Sequence, residues 1–262
     1  MKDLVILINL KILRKLFWNF TFKIRNGLAK GFKRRFGLGF KPKFNLTEEE
    51  VFLTNHNFKG KTIYDIGGYI GIYSIFFADA VKENGKVITF EPNPTNFREI
   101  AFNLKINKFK NVRVFHLGIG KERGISELHI DPIRYSRGSF IQKNENLSFK
   151  KTESRKVKVK IDSIDNLIKE KTIPPPYFVK IDVEGFESEV IQGMISTIEN
   201  YKPELFIEIH GRVKEELIRI LINNNYKVYY IEFKKVLSFN NLRKIETGHI
   251  YCFDSKKNHK LD

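Results

Sequence analysis

Tyr64-Asp65-Ile66-Gly67-Gly68-Tyr69-Ile70-Gly71 reads as an apolar strand that ends in an acid and runs into a glycine-rich turn opening a helix. One helix later, Val87-Ile88-Thr89-Phe90 is a second apolar strand, closed by Glu91-Pro92-Asn93. Glycines let a backbone approach a ligand closely. An acid at the end of the second strand is placed to accept hydrogen bonds from both hydroxyls of a ribose. The two stretches together describe the nucleotide-binding half of an open α/β sheet.

The pattern continues outward. Strands are expected at Thr62–Ile66, Lys86–Phe90 and Val112–Leu117, separated by helices over Ile72–Val81 and Asn96–Asn107. This βαβαβ alternation predicts a parallel sheet with right-handed crossovers. Thr47 with Glu50 predicts a capped helix start. Residues 126–130 suggest an added strand, and 131–154 read as a loop over the sheet's C-terminal edge. Arg155–Ile161 alternates cleanly, as a half-exposed strand does. After Pro174-Pro175-Pro176 the chain predicts a buried strand at Tyr177–Val183 and one helix over Phe186–Asn200. A strand at Glu204–His210, a helix at Val213–Asn224 and strands at Lys227–Glu232 and His249–Phe253 complete the sheet.

The segment Lys180-Ile181-Asp182-Val183-Glu184-Gly185 places two acids at the C-terminal end of a central strand. Alternation sends Asp182 and Glu184 to the same side. The next strand ends in Glu208-Ile209-His210. In open α/β sheets these ends face the ligand crevice. Asp182, Glu184, Glu208 and His210 are therefore the candidate reacting groups. Lys180 is expected to pair with an acid and is kept outside that set. His116, His129 and His249 have no ligand-like neighbours in sequence, and Ser139 is a weak candidate for acceptor contact.

The chain has 262 residues and a net charge of +17, of which +11 falls in residues 1–43. The expected organisation is a basic, partly helical arm (1–43) followed by one domain (44–262). Leu10, Leu13, Phe17 and Phe20 share one helical face over residues 4–22, and Lys30–Lys43 reads as a basic linker. A basic amphipathic helix with aromatics suits a membrane surface. The apolar run at Leu4–Leu10 is too short to span a bilayer. The single cysteine, Cys252, forms no disulfide within the chain and fits a reducing, cytoplasmic compartment. Peripheral contact of the arm with the inner face of a membrane is a further expectation.

These motifs resemble the FkbM-type, S-adenosylmethionine-dependent methyltransferases. The resemblance rests on Tyr64-Asp65-Ile66-Gly67 with Gly71, Phe90-Glu91-Pro92-Asn93, Asn111-Val112, Lys158–Asp162, Lys180–Gly185, and Lys202-Pro203 with Ile207–His210. It covers residues 47–232. It implies a class I, Rossmann-like α/β fold: a seven-stranded, mostly parallel sheet with helices on both faces, here with an N-terminal helical extension. It implies S-adenosylmethionine held by Asp65, Gly67, Gly68, Gly71, Glu91, Pro92 and Asn93. It also implies O-methyl transfer to a sugar, glycan or glycolipid-like acceptor. The family pattern has Asn where this chain has Tyr69, and commonly Ala where it has Gly68.

Such a transfer needs an aligned acceptor and a base for its proton. His210 is the first expectation for the base, because its ordinary pKa lies nearest neutrality. Asp182 is the second, and Glu184 and Glu208 suit sugar hydroxyls. Asp182, Glu184, Glu208 and His210 could together hold a divalent metal, which is not expected. Gly67, Gly68 and Gly71 are wrongly spaced for the pyrophosphate turn of a dinucleotide oxidoreductase. An RNA methyltransferase and a non-catalytic, membrane-associated relative stand as alternatives. Nucleic acid is not an expected partner, because no RNA-binding module accompanies the domain.

Overall fold

The computed structural model describes residues 20–35, 45–130, 138–140, 155–210, 215–237 and 247–257. The central sheet is built from β3 (Thr62–Ile66), β4 (Lys86–Phe90), β5 (Val112–Phe115), β10 (Phe178–Ile181), β11 (Glu204–His210), β12 (Tyr226–Tyr230), β13 (Lys235–Val236) and β14 (Thr247–Asp254). Their order is β13-β12-β14-β11-β10-β3-β4-β5. Strands β11, β10, β3, β4 and β5 pair in parallel, and β14 runs antiparallel between β11 and β12. This is the expected seven-stranded class I arrangement, extended at one edge by the two residues of β13.

Parallel strands buried on both faces read as near-continuous apolar runs. Ile63, Val87, Phe178, Phe206 and Tyr251 pack on one side with Leu53 of α1 (Glu48–Thr54) and Phe77 of α2 (Ile72–Ala80). Tyr64, Ile88, Val179, Ile207 and Cys252 face the other. There they meet Leu167 of α4 (Ile164–Lys169), Val190 of α5 (Glu187–Gln192), Ile198 of α6 (Ile195–Tyr201) and Leu217 of α7 (Glu215–Asn223). The Thr47 capping box forms: Glu50 Oε2 accepts from the Thr47 N–H at 3.2 Å.

Several expectations change. The helix expected over 186–200 is two helices, broken at Gly193-Met194. A Cβ at Gly193 would lie 1.9 Å from the Gly120 carbonyl oxygen, so the break admits a neighbouring turn. The Asp165 carboxylate then caps the second helix, accepting from the N–H groups of Ser196 (2.9 Å) and Thr197 (2.8 Å). The strand expected to reach Val183 stops at Ile181, because Glu184 (φ 52) and Gly185 (φ 96) turn left-handed. The alternation argument for Asp182 and Glu184 therefore fails, although both still reach the same site. The strands at 126–130 and 155–161 belong to a separate sheet. It pairs β6 (Gly118–Ile119), β9 (Arg155–Asp162), β7 (Gly124–Ile130) and β8 (Gly138–Phe140). β8 lies within the stretch read as loop, and the rest of 131–154 is outside the described residues.

Residues 20–35 are neither helix end nor linker. β1 (Thr21–Lys23) and β2 (Lys33–Arg35) form an antiparallel hairpin. It docks on α3 (Pro94–Ile106) and the residue after it: Asn103 Oδ1 accepts from the Arg35 N–H and Asn107 Oδ1 from the Lys33 N–H, each at 2.8 Å. Arg35 pairs with buried Glu99 at 3.1 Å and stacks 3.6 Å over the Phe102 ring. Asn103 also donates to the Ile70 carbonyl at 2.9 Å, so the hairpin braces the glycine turn through one side chain. The rest of the helix read over 4–22 and of the linker lies outside the described residues. Among those described, no helix is long and apolar enough to cross a membrane.

Candidate active site

The glycine turn is forced close to β10. Gly67 has φ +81, and a Cβ there would lie 1.8 Å from the Asp182 carbonyl oxygen. Gly67 and Gly68 both donate to the Phe90 carbonyl, and Asp182 donates to the Ile66 carbonyl at 3.0 Å. Gly68 is constrained by Thr89, whose Cγ2 would stand 2.4 Å from an added Cβ. Here Thr89 is the reason glycine, and not alanine, follows Gly67. Tyr69 adopts φ 52, a left-handed conformation that favours Gly or Asn. Its backbone N–H is still used, donating to Glu91 Oε2 at 2.8 Å.

Glu91 is the organising group of this half. Its other oxygen accepts from the Asn93 N–H at 2.8 Å. Burial pushes its carboxyl up to about 7, against the pull of those two N–H groups and the Asn96 side chain. Asn93 caps α3, accepting from the Thr95 N–H at 2.9 Å, and the Pro92 carbonyl lies 3.0 Å from His116 Nε2. Asp65 is buried. Its Oδ2 accepts from Ser74 Oγ at 2.6 Å, while Oδ1 has no hydrogen-bond partner.

These features fit S-adenosylmethionine. Asp65 Oδ1, free of hydrogen bonds although 3.5 Å from the Lys180 ammonium, keeps acceptor capacity for an ammonium donor, the bare turn at Gly67-Gly68 admits close approach, and each Glu91 oxygen keeps acceptor capacity for a ribose hydroxyl.

The acid–histidine half lies beyond β10 and β11. His210 Nε2 is 3.3 Å from Glu208 Oε1, 3.7 Å from Glu184 Oε2 and 3.8 Å from Asp182 Oδ1. Its Nδ1 is 3.2 Å from Glu187 Oε1. The structure thus brings all four expected reacting groups together. It adds Glu187, which sits two residues past Gly185 and carries no motif signal. It also adds His249, whose Nε2 is 3.6 Å from Glu208 Oε2 and whose Nδ1 is 2.7 Å from Glu232 Oε1. Only the register of the antiparallel strand, Glu208↔His249, could have revealed that neighbour.

Four carboxylates around one imidazole decide its charge. Burial opposes a charge on His210, but the bonds to Glu187 and Glu208 and the fields of Asp182 and Glu184 outweigh it and raise the pKa to about 11. His210 is therefore an imidazolium at neutral pH. The two strand-end acids move in opposite directions. Asp182 is pushed up to about 6, first by burial, opposed by Lys180 and reinforced by Glu208. Glu208 is partly buried, which works against its charge, yet hydrogen bonds to both imidazoles hold it below the usual carboxylate range. Asp182, Glu208 and His210 each offer an atom within 4.8 Å of the others, as do Glu49, Glu232 and His249, and either trio could hold a metal ion. Lys180 is paired as expected, with Asp182 at 3.1 Å and Asp65 at 3.5 Å.

The chain is 27% identical, over 161 residues, to the hexuronic acid methyltransferase AglP of Haloferax volcanii. That match spans 62% of this chain and 61% of AglP. The crystal structure of an FkbM methyltransferase from Methylobacillus flagellatus KT aligns with TM-score 0.48 and 16% identity, covering 76% of this chain and 45% of that one. Residues 65–228 match the methyltransferase FkbM domain, more than half the chain and every residue of the site just described except Glu49, Glu232 and His249, and the chain belongs to the FkbM methyltransferase family.

Proposed function

We propose that this protein transfers a methyl group from S-adenosylmethionine to a hydroxyl of a sugar or glycan. The observation that carries the reading is the contact of the two half-sites. The turn fitted to the cofactor touches the backbone of Asp182, whose side chain opens the acid–histidine cluster. The relative AglP is a hexuronic acid methyltransferase, which supports a sugar acceptor.

When bound, S-adenosylmethionine supplies a methyl group already activated on sulfonium sulfur. The chain's own work is alignment and proton removal. Alignment is worth about 7–11 kcal/mol of barrier, and a positioned base about 10²–10⁴-fold in rate. Asp65 and Glu91 would hold the cofactor's amino group and ribose. Asp182, ionised above about pH 6, would take the proton of the acceptor hydroxyl, while the cofactor would give up its methyl group to the acceptor oxygen and leave as the neutral thioether. His210, already an imidazolium, does not accept that proton; it offers positive charge beside the reacting oxygen. Glu184 and Glu208 receive neighbouring sugar hydroxyls.

The test is transfer of labelled methyl from S-adenosylmethionine to neutral hexosides, hexuronides and short RNAs. Base-stable label in a sugar ether supports the reading, whereas label confined to RNA overturns it. Cofactor affinity should also depend on pH. Glu91 accepts ribose hydroxyls best as a carboxylate, and its pKa is near 7. Below pH 7 the dissociation constant should rise about tenfold per unit, as one protonation linked to binding requires. Calorimetry across pH 5.5–8 checks this, and Glu91→Gln should bind weakly with a flat profile.

A further inference from the structure

Lys180 occupies a place where a charge is costly. It lies in the middle of the sheet, paired in register with Asp65 on one side and Phe206 on the other, and is 2% exposed. A buried ammonium persists only where its N–H groups find partners. Lys180 Nζ donates to Asp182 Oδ2 at 3.1 Å and to the Gly67 carbonyl at 3.2 Å, and stands 3.5 Å from Asp65 Oδ1. It also sits 4.7 Å from the centre of the Tyr73 ring. An ammonium has three donors. Two carboxylates and a carbonyl occupy its surroundings, so Lys180 is not arranged to grip a substrate.

Those three oxygens belong to different parts of the site. Asp65 lies near the end of β3, Gly67 begins the cofactor turn and Asp182 follows β10. We infer that Lys180 is a positioning residue that ties the cofactor turn at Gly67 to the carboxylate of Asp182, so that cofactor binding and orientation of the base depend on one side chain. The inference rests on the proposed methyl transfer for its functional meaning. By holding Oδ2, Lys180 leaves Asp182 Oδ1 on the side of His210. The charge of Lys180 also works on the ionisation of Asp182. Lys180, Tyr73, Glu208 and His210 act on that carboxylate, while Asp65 stands against Lys180, and Glu184 and Glu187 against His210. Among these only Lys180 and His210 are cationic, so removing Lys180 leaves Asp182 harder to ionise.

The test uses Lys180→Gln and Lys180→Arg in the full chain. Titration of the Asp182 carboxyl is followed by carbon NMR, and S-adenosylmethionine affinity by calorimetry. Lys180→Gln should raise the Asp182 midpoint by at least one pH unit and weaken cofactor binding at least tenfold. Lys180→Arg should restore the midpoint, because the charge returns. It should still bind cofactor at least threefold more weakly, because a planar guanidinium does not reproduce the contacts of the ammonium.

A purely structural lysine would lower thermal stability and leave cofactor affinity unmoved in the folded protein, and that result overturns the inference. If Lys180→Gln does not fold, Lys180→Arg decides alone: unchanged cofactor affinity overturns it. If the wild type binds no S-adenosylmethionine, the proposed function fails. The tie to Asp182 is then judged on the carboxyl midpoint in both variants, and no shift in Lys180→Gln overturns it.

Discussion

Gly67→Ala should abolish measurable cofactor binding and destabilise the protein. The added Cβ would lie 1.8 Å from the Asp182 carbonyl oxygen and 2.9 Å from its carbon. Neither partner yields easily. The Asp182 N–H is bonded to the Ile66 carbonyl at 3.0 Å and the Gly67 N–H to the Phe90 carbonyl at 2.9 Å. The residue also sits at φ +81, where a side chain costs about 1–2 kcal/mol. Overpacking adds about 1–3 kcal/mol. Together these predict a fall in melting temperature on the order of 5–15 °C, and at least a hundredfold loss of S-adenosylmethionine affinity.

Gly71→Ala is the informative control. It shares the left-handed backbone, at φ +86, yet its Cβ would meet nothing closer than 3.4 Å. Only the conformational cost of about 1–2 kcal/mol applies there. Equal effects from the two variants in calorimetry and thermal melts would show that backbone strain, and not the approach to Asp182, governs the turn.

What could be read from the sequence follows the same physics. Strands β3, β4 and β11 were legible to the residue, because each is an apolar run bounded by a breaker or an acid. The end of β10 was not. Nothing in Asp182-Val183-Glu184-Gly185 announces that Glu184, a non-glycine, turns left-handed. The hairpin of residues 21–35 was illegible for another reason. Its three-residue strands have no period of their own and are fixed by Glu99, Asn103 and Asn107 of the helical segment beneath.

The site divides similarly. Asp182, Glu184, Glu208 and His210 stood out because motif and strand ends coincide. Glu187, Glu232 and His249 reach the cluster only through tertiary pairing. Counting them matters, since the charge of His210 depends on how many carboxylates surround it. A histidine taken alone looks like a base; the same histidine among four acids does not.

Asp182→Asn should lower kcat by about 10³-fold, within the range lost when a positioned base is removed. The amide keeps the shape of the side chain and an oxygen for the Lys180 ammonium, so folding and cofactor affinity should change little. In the wild type, kcat measured at saturating cofactor should rise with pH through about 6, because Asp182 accepts a proton only when ionised. Saturation matters, since the protonation of free Glu91 near pH 7 then drops out of the profile. The variant should lack the limb at pH 6. His210→Gln should cost far less, about tenfold, because it removes a cation beside the reacting oxygen and leaves the proton acceptor in place. The reverse order, a near-normal Asp182→Asn and an inactive His210→Gln, would mean that acceptor or cofactor binding strips His210 of its acidic partners and returns it to neutrality. Proton removal would then belong to the imidazole, and Asp182 would serve to orient the hydroxyl.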